Sequence, residues 1–573
     1  MSDKTYIKNT VILFASMALT KIVGALFKIP LANLLGGTGM GYFSTAYGLY
    51  SPIFALTAAG VPTVMTRITA RMLAEGKAGE AAAVKRIAGV LFSAVGLCGT
   101  LATVLLAKPF ADHIACSPKS VAAVICIAPA VMLCCMASVL RGYYEGMSDV
   151  VPSSAAAASE AISRAVFGLS MAYAVMFRAK SLWLDGKAVF GTECSTAEQA
   201  TEAALPVAAA GAILAVSISE LCGLITMIIA DKKRGKQNAV PMCRLSRRNV
   251  CCRLLRETAP IAASALVMNC VSFVDLVTVP GTLTRLVRDN SELCGRTFSD
   301  VLSAAGGIEG LPNFMYGSYT GIAMSLFMLI PSFAGMTEKT SLPEITSAWT
   351  QQDGKLLSES IFKLFRASAI IAAPACFGAA ALAQPILSTL YSSRTAEISV
   401  CLVSFVILCL GGLFMTGAGA LFGVFQAIDR AYIPLLLMIG SVLVKLVLNP
   451  ILVSIPALNI AGAAAASVAG YFLMSVSGIV ILTRILPVKT GILRAVSAPA
   501  VCGAVCGAAA WAVYHALVGR LSGVILLAVS IAAGGIVYII LLICGRVFCM
   551  SGTISKKTQK NFQKPLANLR KIG

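Results

Sequence analysis

Residues 140–169 read L-R-G-Y-Y-E-G-M-S-D-V-V-P-S-S-A-A-A-A-S-E-A-I-S-R-A-V-F-G-L. They end one apolar segment, turn, and open a second that carries Glu160 and Arg164 within a run of small residues. An ionised side chain at bilayer depth costs roughly 2.5–3.5 kcal/mol on insertion scales, so such residues face a cavity or a partner. About 281 residues later the pattern returns from Leu421 as L-F-G-V-F-Q-A-I-D-R-A-Y-I-P. Gly142 then matches Gly423, Pro152 nearly matches Pro434, and Arg164 matches Lys445. Each half of the chain places a cation on the helix that follows the same turn.

The composition explains why these segments are membrane helices. Of 573 residues 58% are hydrophobic and only 12% charged, with a mean hydropathy of +0.85. Soluble domains carry about 25% charged residues. Long apolar stretches recur along almost the whole chain, which predicts an all-α polytopic membrane protein. A barrel is excluded because its strands would alternate apolar and polar residues.

Fourteen segments are predicted, at about 11–35, 42–66, 87–106, 121–143, 155–177, 204–230, 259–280, 315–334, 362–382, 400–425, 432–453, 461–482, 495–517 and 524–543. Residues 1–230 form an N-lobe of six helices and 258–484 a C-lobe of six. A basic connection at 231–257 joins them; helices thirteen and fourteen (485–547) and a basic tail (548–573) follow. The repeat offset spans six segments, an even number. It therefore relates the lobes by a pseudo-two-fold axis along the membrane normal, the arrangement of transporters that rock around a central substrate. Gly281 to Leu311 reads as a long mixed-charge loop, and Gly36-Gly37-Thr38-Gly39 as an outer turn.

The net charge of +21 would suggest nucleic acid in a soluble protein. Here it sits mostly in loops and the tail. With both termini in the cytoplasm, the even-numbered connections take the lysine and arginine excess that the positive-inside rule demands. The connection at 231–257 and the tail also suit anionic lipid head groups. The first segment is too long for a signal peptide and is broken by Lys21 and Lys28.

The chemistry lies in a few polar residues. Lys21 and Lys28 are seven apart, about 700° of helical rotation, so they share one face about 10 Å apart. That face should look into a cavity. Arg164 and Lys445 add one cation from each half, and Asn449 shares the face of Lys445 one turn on. Glu160 and Arg164 stand at i and i+4, where they could neutralise each other. Gathered cations in a low-dielectric cleft suit a phosphate or pyrophosphate head. Asp275 and Asn269 in segment seven could hold a coupling Na⁺ or proton, or Asp275 could pair with a lysine. The 19 cysteines lack metal-site spacing, and the two histidines, His113 and His515, are far apart. No phosphate loop, catalytic triad or metal cluster is present, so neither an enzyme nor a bound cofactor is expected.

These stretches resemble the multidrug/oligosaccharidyl-lipid/polysaccharide (MOP) flippase superfamily. The nearest likeness is to polysaccharide biosynthesis proteins of the stage V sporulation protein B-like and lipid II flippase branches. The likeness covers roughly residues 5 to 545 and is most specific in L-R-G-Y-Y-E-G…P…S-E-A-I-S-R. T-K-I-V-G-A-L-F-K-I-P-L-A-N-L-L-G at Thr20, A-A-G-V-P at Ala58, F-V-D-L at Phe273 and K-L-V-L-N-P at Lys445 support it. Lys21 and Lys28 match basic positions of the family's first helix, where the lipid II branch favours arginine. The family commonly has glutamine in place of Glu145 and of Ala161. The resemblance implies a monomeric flippase of the bacterial plasma membrane. It would move an undecaprenyl-pyrophosphate-linked cell-wall saccharide across the bilayer by alternating access. A cation-coupled multidrug antiporter of the same superfamily is the alternative; it would favour acids in the N-lobe cavity.

Overall fold

The computed structural model describes residues 3–235, 246–486 and 491–545. The middle of the basic connection (236–245) and the basic tail lie outside the described residues. Described residues are almost wholly helical: α1 (Asp3–Thr57), α2 (Val61–Ala74), α3 (Ala78–Pro109), α4 (Val121–Gly146), α5 (Val151–Leu184), α6 (Ala197–Gly235) and α7 (Arg247–Asp289). Next come α8 (Ser291–Thr297), α9 (Ser299–Ala305), α10 (Leu311–Ser318), α11 (Met324–Phe327), α12 (Leu329–Thr350), α13 (Gly354–Ala381) and α14 (Ala383–Leu390). The last are α15 (Thr395–Ala427), α16 (Tyr432–Val453), α17 (Asn459–Ile485), α18 (Ile492–Leu517) and α19 (Gly523–Cys544).

Among the described residues thirteen helical stretches are long and apolar enough to cross a bilayer. The first of them holds two crossings. Its α1 is 55 residues, about 80 Å if straight, against a hydrocarbon core of about 30 Å. Gly36 breaks it with φ 63° and ψ −172°, a backbone that glycine adopts without steric cost. Beyond the break the second limb turns back, so the Phe27 and Phe43 ring centroids come within 6.5 Å. A straight helix would hold those residues about 24 Å apart. The expected turn at Gly36-Gly37-Thr38-Gly39 thus joins helices one and two without leaving helical geometry on either side.

The loop expected from Gly281 to Leu311 is instead mostly helical: α7 continues to Asp289, and α8 and α9 follow. Charged residues made this stretch look like a loop. A helix end that leaves the apolar layer keeps its backbone bonds, and exposed faces accept charge.

The packing forms two compact units, Met1–Gly321 and Ile322–Gly573. The division falls after α10, not in the basic connection at 231–257. The reason is that α7 and α10 lie on α1 in the first unit. Ser51 Oγ donates to Asn269 Oδ1 of α7. Asn313 of α10 donates to the Thr38 carbonyl at 3.0 Å. Gly317 of α10 meets the backbone of Gly37 and Gly41, where a Cβ would have no room.

Small residues set the helix contacts elsewhere, as expected where lipid removes the hydrophobic drive between helices. Gly142 and Gly146 of the opening stretch are four apart on α4. Any Cβ there would strike Pro62, Met65, Thr66 or Thr69 of α2. The two glycines of L-R-G-Y-Y-E-G are therefore the seam between α4 and α2. In the second unit Gly503 and Gly507 bring α18 onto Ala373 and Phe377 of α13. Tyr538 of α19 donates to the Ile370 carbonyl of α13 at 2.9 Å. The repeated turn is visible in the backbone too: Ser148 and Asp429, equivalent under the sequence offset, both have φ 60°.

Gly142→Ala should overpack the α2–α4 seam and cost about 1–3 kcal/mol. It should lower the thermal unfolding midpoint of the purified protein in detergent. Gly89→Ala on α3, where a Cβ meets nothing within 4 Å, should leave the midpoint unchanged or raise it.

Candidate functional site

The opening stretch serves first as a clasp. Lys85 of α3 reaches Asp231 of α6 at 2.6 Å, and Tyr144 donates to the same carboxylate at 2.6 Å. Lys85 also lies over the Tyr143 ring, 4.7 Å from its centroid. Arg234 of α6 reaches Asp149 of the α4–α5 turn at 2.7 Å. Ser153 donates to Glu145 at 2.6 Å. The tyrosines and acids of Y-Y-E-G-M-S-D thus tie α3, α4, α5 and α6 together at one end.

Deeper along the same helices lie two ion pairs, neither of them the i, i+4 pair that the sequence suggested. Glu160 of α5 pairs with Arg141 of α4. Arg164, one turn on, pairs at 3.0 Å with Glu220 of α6, and its Nε meets Ser219 Oγ at 3.3 Å. The Cys134 thiol donates to the other Glu220 oxygen at 3.3 Å. Glu160 can lie on α6 only because residue 223 is glycine, since a Cβ would overlap its carboxylate. Both acids are buried, at 8% and 5% exposure. Each finds an arginine on a neighbouring helix, which satisfies the requirement that a buried charge be paired.

Lys21 and Lys28 on the first limb of α1 are both solvent-accessible. The charges of Lys21 and Arg164 both act on Lys28. Arg164 remains about one-third exposed beside its partner. Lys21, Lys28 and Arg164 thus lie within electrostatic reach of one another in the first unit, while Glu160 is held by Arg141 of α4.

Lys445 and Asn449 belong to the second unit and lie on the packed face of α16 with Ser441, at 1%, 0% and 0% exposure. Gly470 of α17 makes the space that Ser441 and the Lys445 stem occupy. On α7, Asn269 accepts from Ser51 and donates to the Ala265 carbonyl at 2.8 Å. Asp275 is buried, and its charge acts on Tyr316 of α10. Among the described residues no three His, Cys, Asp or Glu side chains gather as metal ligands.

Arg141 and Glu220 are site residues that the sequence reading did not single out. Glu220 carried a usable signal: a lone acid inside the apolar run 204–230 needs a partner or a cavity. Glu338 carries the same signal. It sits half-buried on α12 against Gly419 of α15, where a Cβ would overlap its carboxylate.

Removing a partner distinguishes scaffold from accessible cation. Arg141→Ala leaves Glu160 buried without its arginine and should cost about 3–5 kcal/mol, seen as a large drop in unfolding midpoint. Lys28→Ala removes an accessible amine and should change stability by no more than about 0.5 kcal/mol. Equal effects would mean that Lys28 is structural.

The sequence profile of the family described as "Polysaccharide biosynthesis protein" matches residues 6–183. Stage V sporulation protein B of Bacillus subtilis is 22% identical over 505 residues, covering 85% of this chain and 86% of the relative. Lipid II flippase MurJ of the same organism is 21% identical over 579 residues, covering 95% of each. Among solved structures, the inward closed conformation of lipid II flippase MurJ aligns over 95% of this chain and 100% of its own. The TM-score is 0.62 at 12% identity. An inward-facing multidrug-resistance MATE transporter of the MOP superfamily aligns over 83% of this chain and 100% of its own, with a TM-score of 0.54 at 16% identity. The chain is a multi-pass membrane protein that shares its fold with these two solved transporters and is similar in sequence to the polysaccharide-biosynthesis proteins named above.

Proposed function

We propose that this MOP-superfamily chain is a flippase for a polyprenyl-pyrophosphate-linked cell-wall saccharide of the lipid II type, working as a monomer by alternating access. The observation that carries the proposal is the group of accessible cations in the first unit. Lys21 and Lys28 face accessible space, with Arg164 close by. Like charges gathered in a low-dielectric setting repel, and a bound pyrophosphate relieves that repulsion while accepting hydrogen bonds from each cation. Lys445 is the second half's counterpart of Arg164 under the repeat, and with Asn449 it completes the substrate-binding set. Asp275 and Asn269 are the proposed place for a coupling Na⁺ or proton. The lysine and arginine excess of the even-numbered connections supports a cytoplasmic location for both termini.

The antiporter alternative calls for an acid open to the first half's cavity. Glu160 and Glu220 are instead buried and held by Arg141 and Arg164. That disposition favours an anionic substrate over a cationic drug.

The test is translocation of fluorescent lipid II in proteoliposomes by wild type and by Lys21→Ala, Lys28→Ala, Arg164→Ala and Lys445→Ala. Each lost charge-assisted contact removes about 1.5–3 kcal/mol, so transport should fall by about tenfold or more in the Lys28 and Arg164 variants. Transport unchanged in all four would remove the proposal.

A further inference from the structure

Helix α7 is attached to the first half of the chain in two different ways, on either side of Pro260. Beyond the proline the attachment is firm. Ser51 of α1 donates to Asn269. The Phe273 and Phe110 rings stack with centroids 6.3 Å apart, and Leu276 fills the space that Gly48 of α1 leaves. Before the proline, between residues 247 and 260, only Leu254 and Thr258 are buried. They stand one turn apart on one face, so this stretch meets its neighbours along a single narrow line. Leu254 sits in the apolar cluster of α2, α3 and α4, with Val61, Met65, Ile68 and Val84. Thr258 lies against Gly60 at the α1–α2 turn, where a Cβ would press on the Thr258 carbonyl at 3.2 Å. That contact explains the glycine of A-A-G-V-P. The Thr258 hydroxyl is buried there with no hydrogen-bond partner among the described residues, a cost that a permanent joint would avoid.

One ion pair crosses this thin line. Arg67 of α2 reaches Glu257 at 2.9 Å. Glu257 also accepts from Arg253, one turn back on its own helix, at 2.9 Å. The crossing pair can part without stranding either charge. Glu257 keeps Arg253, and the Arg67 side chain is already 63% exposed. Arg141 and Glu160 differ, because their separation would leave a buried charge uncompensated. Proline supplies the pivot: at 260 it removes the helical bond to the Arg256 carbonyl and lets the helix bend. We propose that residues 247–259 form an arm, hinged at Pro260 and latched to α2 by Glu257 and Arg67, that swings away to admit the substrate head. The arm follows the basic connection, so it stands on the side that the positive-inside rule assigns to the cytoplasm. What the arm admits rests on the flippase reading; the hinge and the latch do not.

The experiment follows backbone hydrogen exchange of the full chain in nanodiscs by mass spectrometry, over residues 247–259 and, as a reference, 262–280. Arg67→Ala and Glu257→Gln should each speed exchange of the arm roughly two- to fivefold, the worth of one exposed ion pair, and leave the reference unchanged. Combining them should add nothing, because one interaction is lost in either case. Arg67→Lys keeps the charge and should keep most of the protection. Pro260→Ala restores the missing backbone bond. It should slow exchange of the arm and cut transport of fluorescent lipid II in proteoliposomes, with binding of the lipid unchanged. Exchange that rises equally in arm and reference in the Arg67 and Glu257 variants, or not at all, overturns the latch. Exchange slowed by Pro260→Ala with transport intact overturns the arm as a gate. It leaves the flippase reading standing if Lys28→Ala still lowers transport. A wild type that moves no lipid II overturns the flippase reading, and the gate with it.

Discussion

An ionised side chain inside a bilayer must find either an opposite charge or water, and this chain uses both solutions side by side. Arg141 with Glu160 and Arg164 with Glu220 join α4, α5 and α6 across helix boundaries. These pairs occupy the acids of that region and keep them buried. What remains accessible is positive: Lys21, Lys28 and the exposed third of Arg164.

Such pairs need helices close enough to reach, and glycine supplies the closeness. Gly142 and Gly146 let α4 lie against α2, and Gly223 leaves the hollow on α6 that takes the Glu160 carboxylate. In the second unit Gly470 does the same for Lys445. The Lys85–Asp231–Tyr144 clasp then fixes the ends of the helices that carry the deeper pairs. Close packing, ion pairing and the exposed cations form one chain of dependence.

Much of this was legible in the sequence because hydropathy and glycine placement act locally. The run of membrane-length helices, the turn at Gly36 and the paired turns before α5 and α16 follow from residues near in the chain. Partner choice does not. Glu160 and Arg164 share a helix face at i and i+4, yet each binds an arginine or glutamate from another helix, because cross-helix contacts were available and better aligned. The burial of Lys445 depends on a glycine of α17 twenty-five residues later, which helical periodicity cannot reveal. The helices between Gly281 and Leu311 were missed because charge on an exposed helix face looks like a loop in one dimension.

The central proposal is that the accessible cations of the first unit recognise negative charge. The most direct measurement is the affinity of the full chain in neutral-lipid nanodiscs for three lipids that share one polyprenyl tail and end in an alcohol, a phosphate or a pyrophosphate. The account predicts affinity that climbs with each added charge, with the differences shrinking as salt rises. Three equal affinities, or a preference for the alcohol, would contradict it.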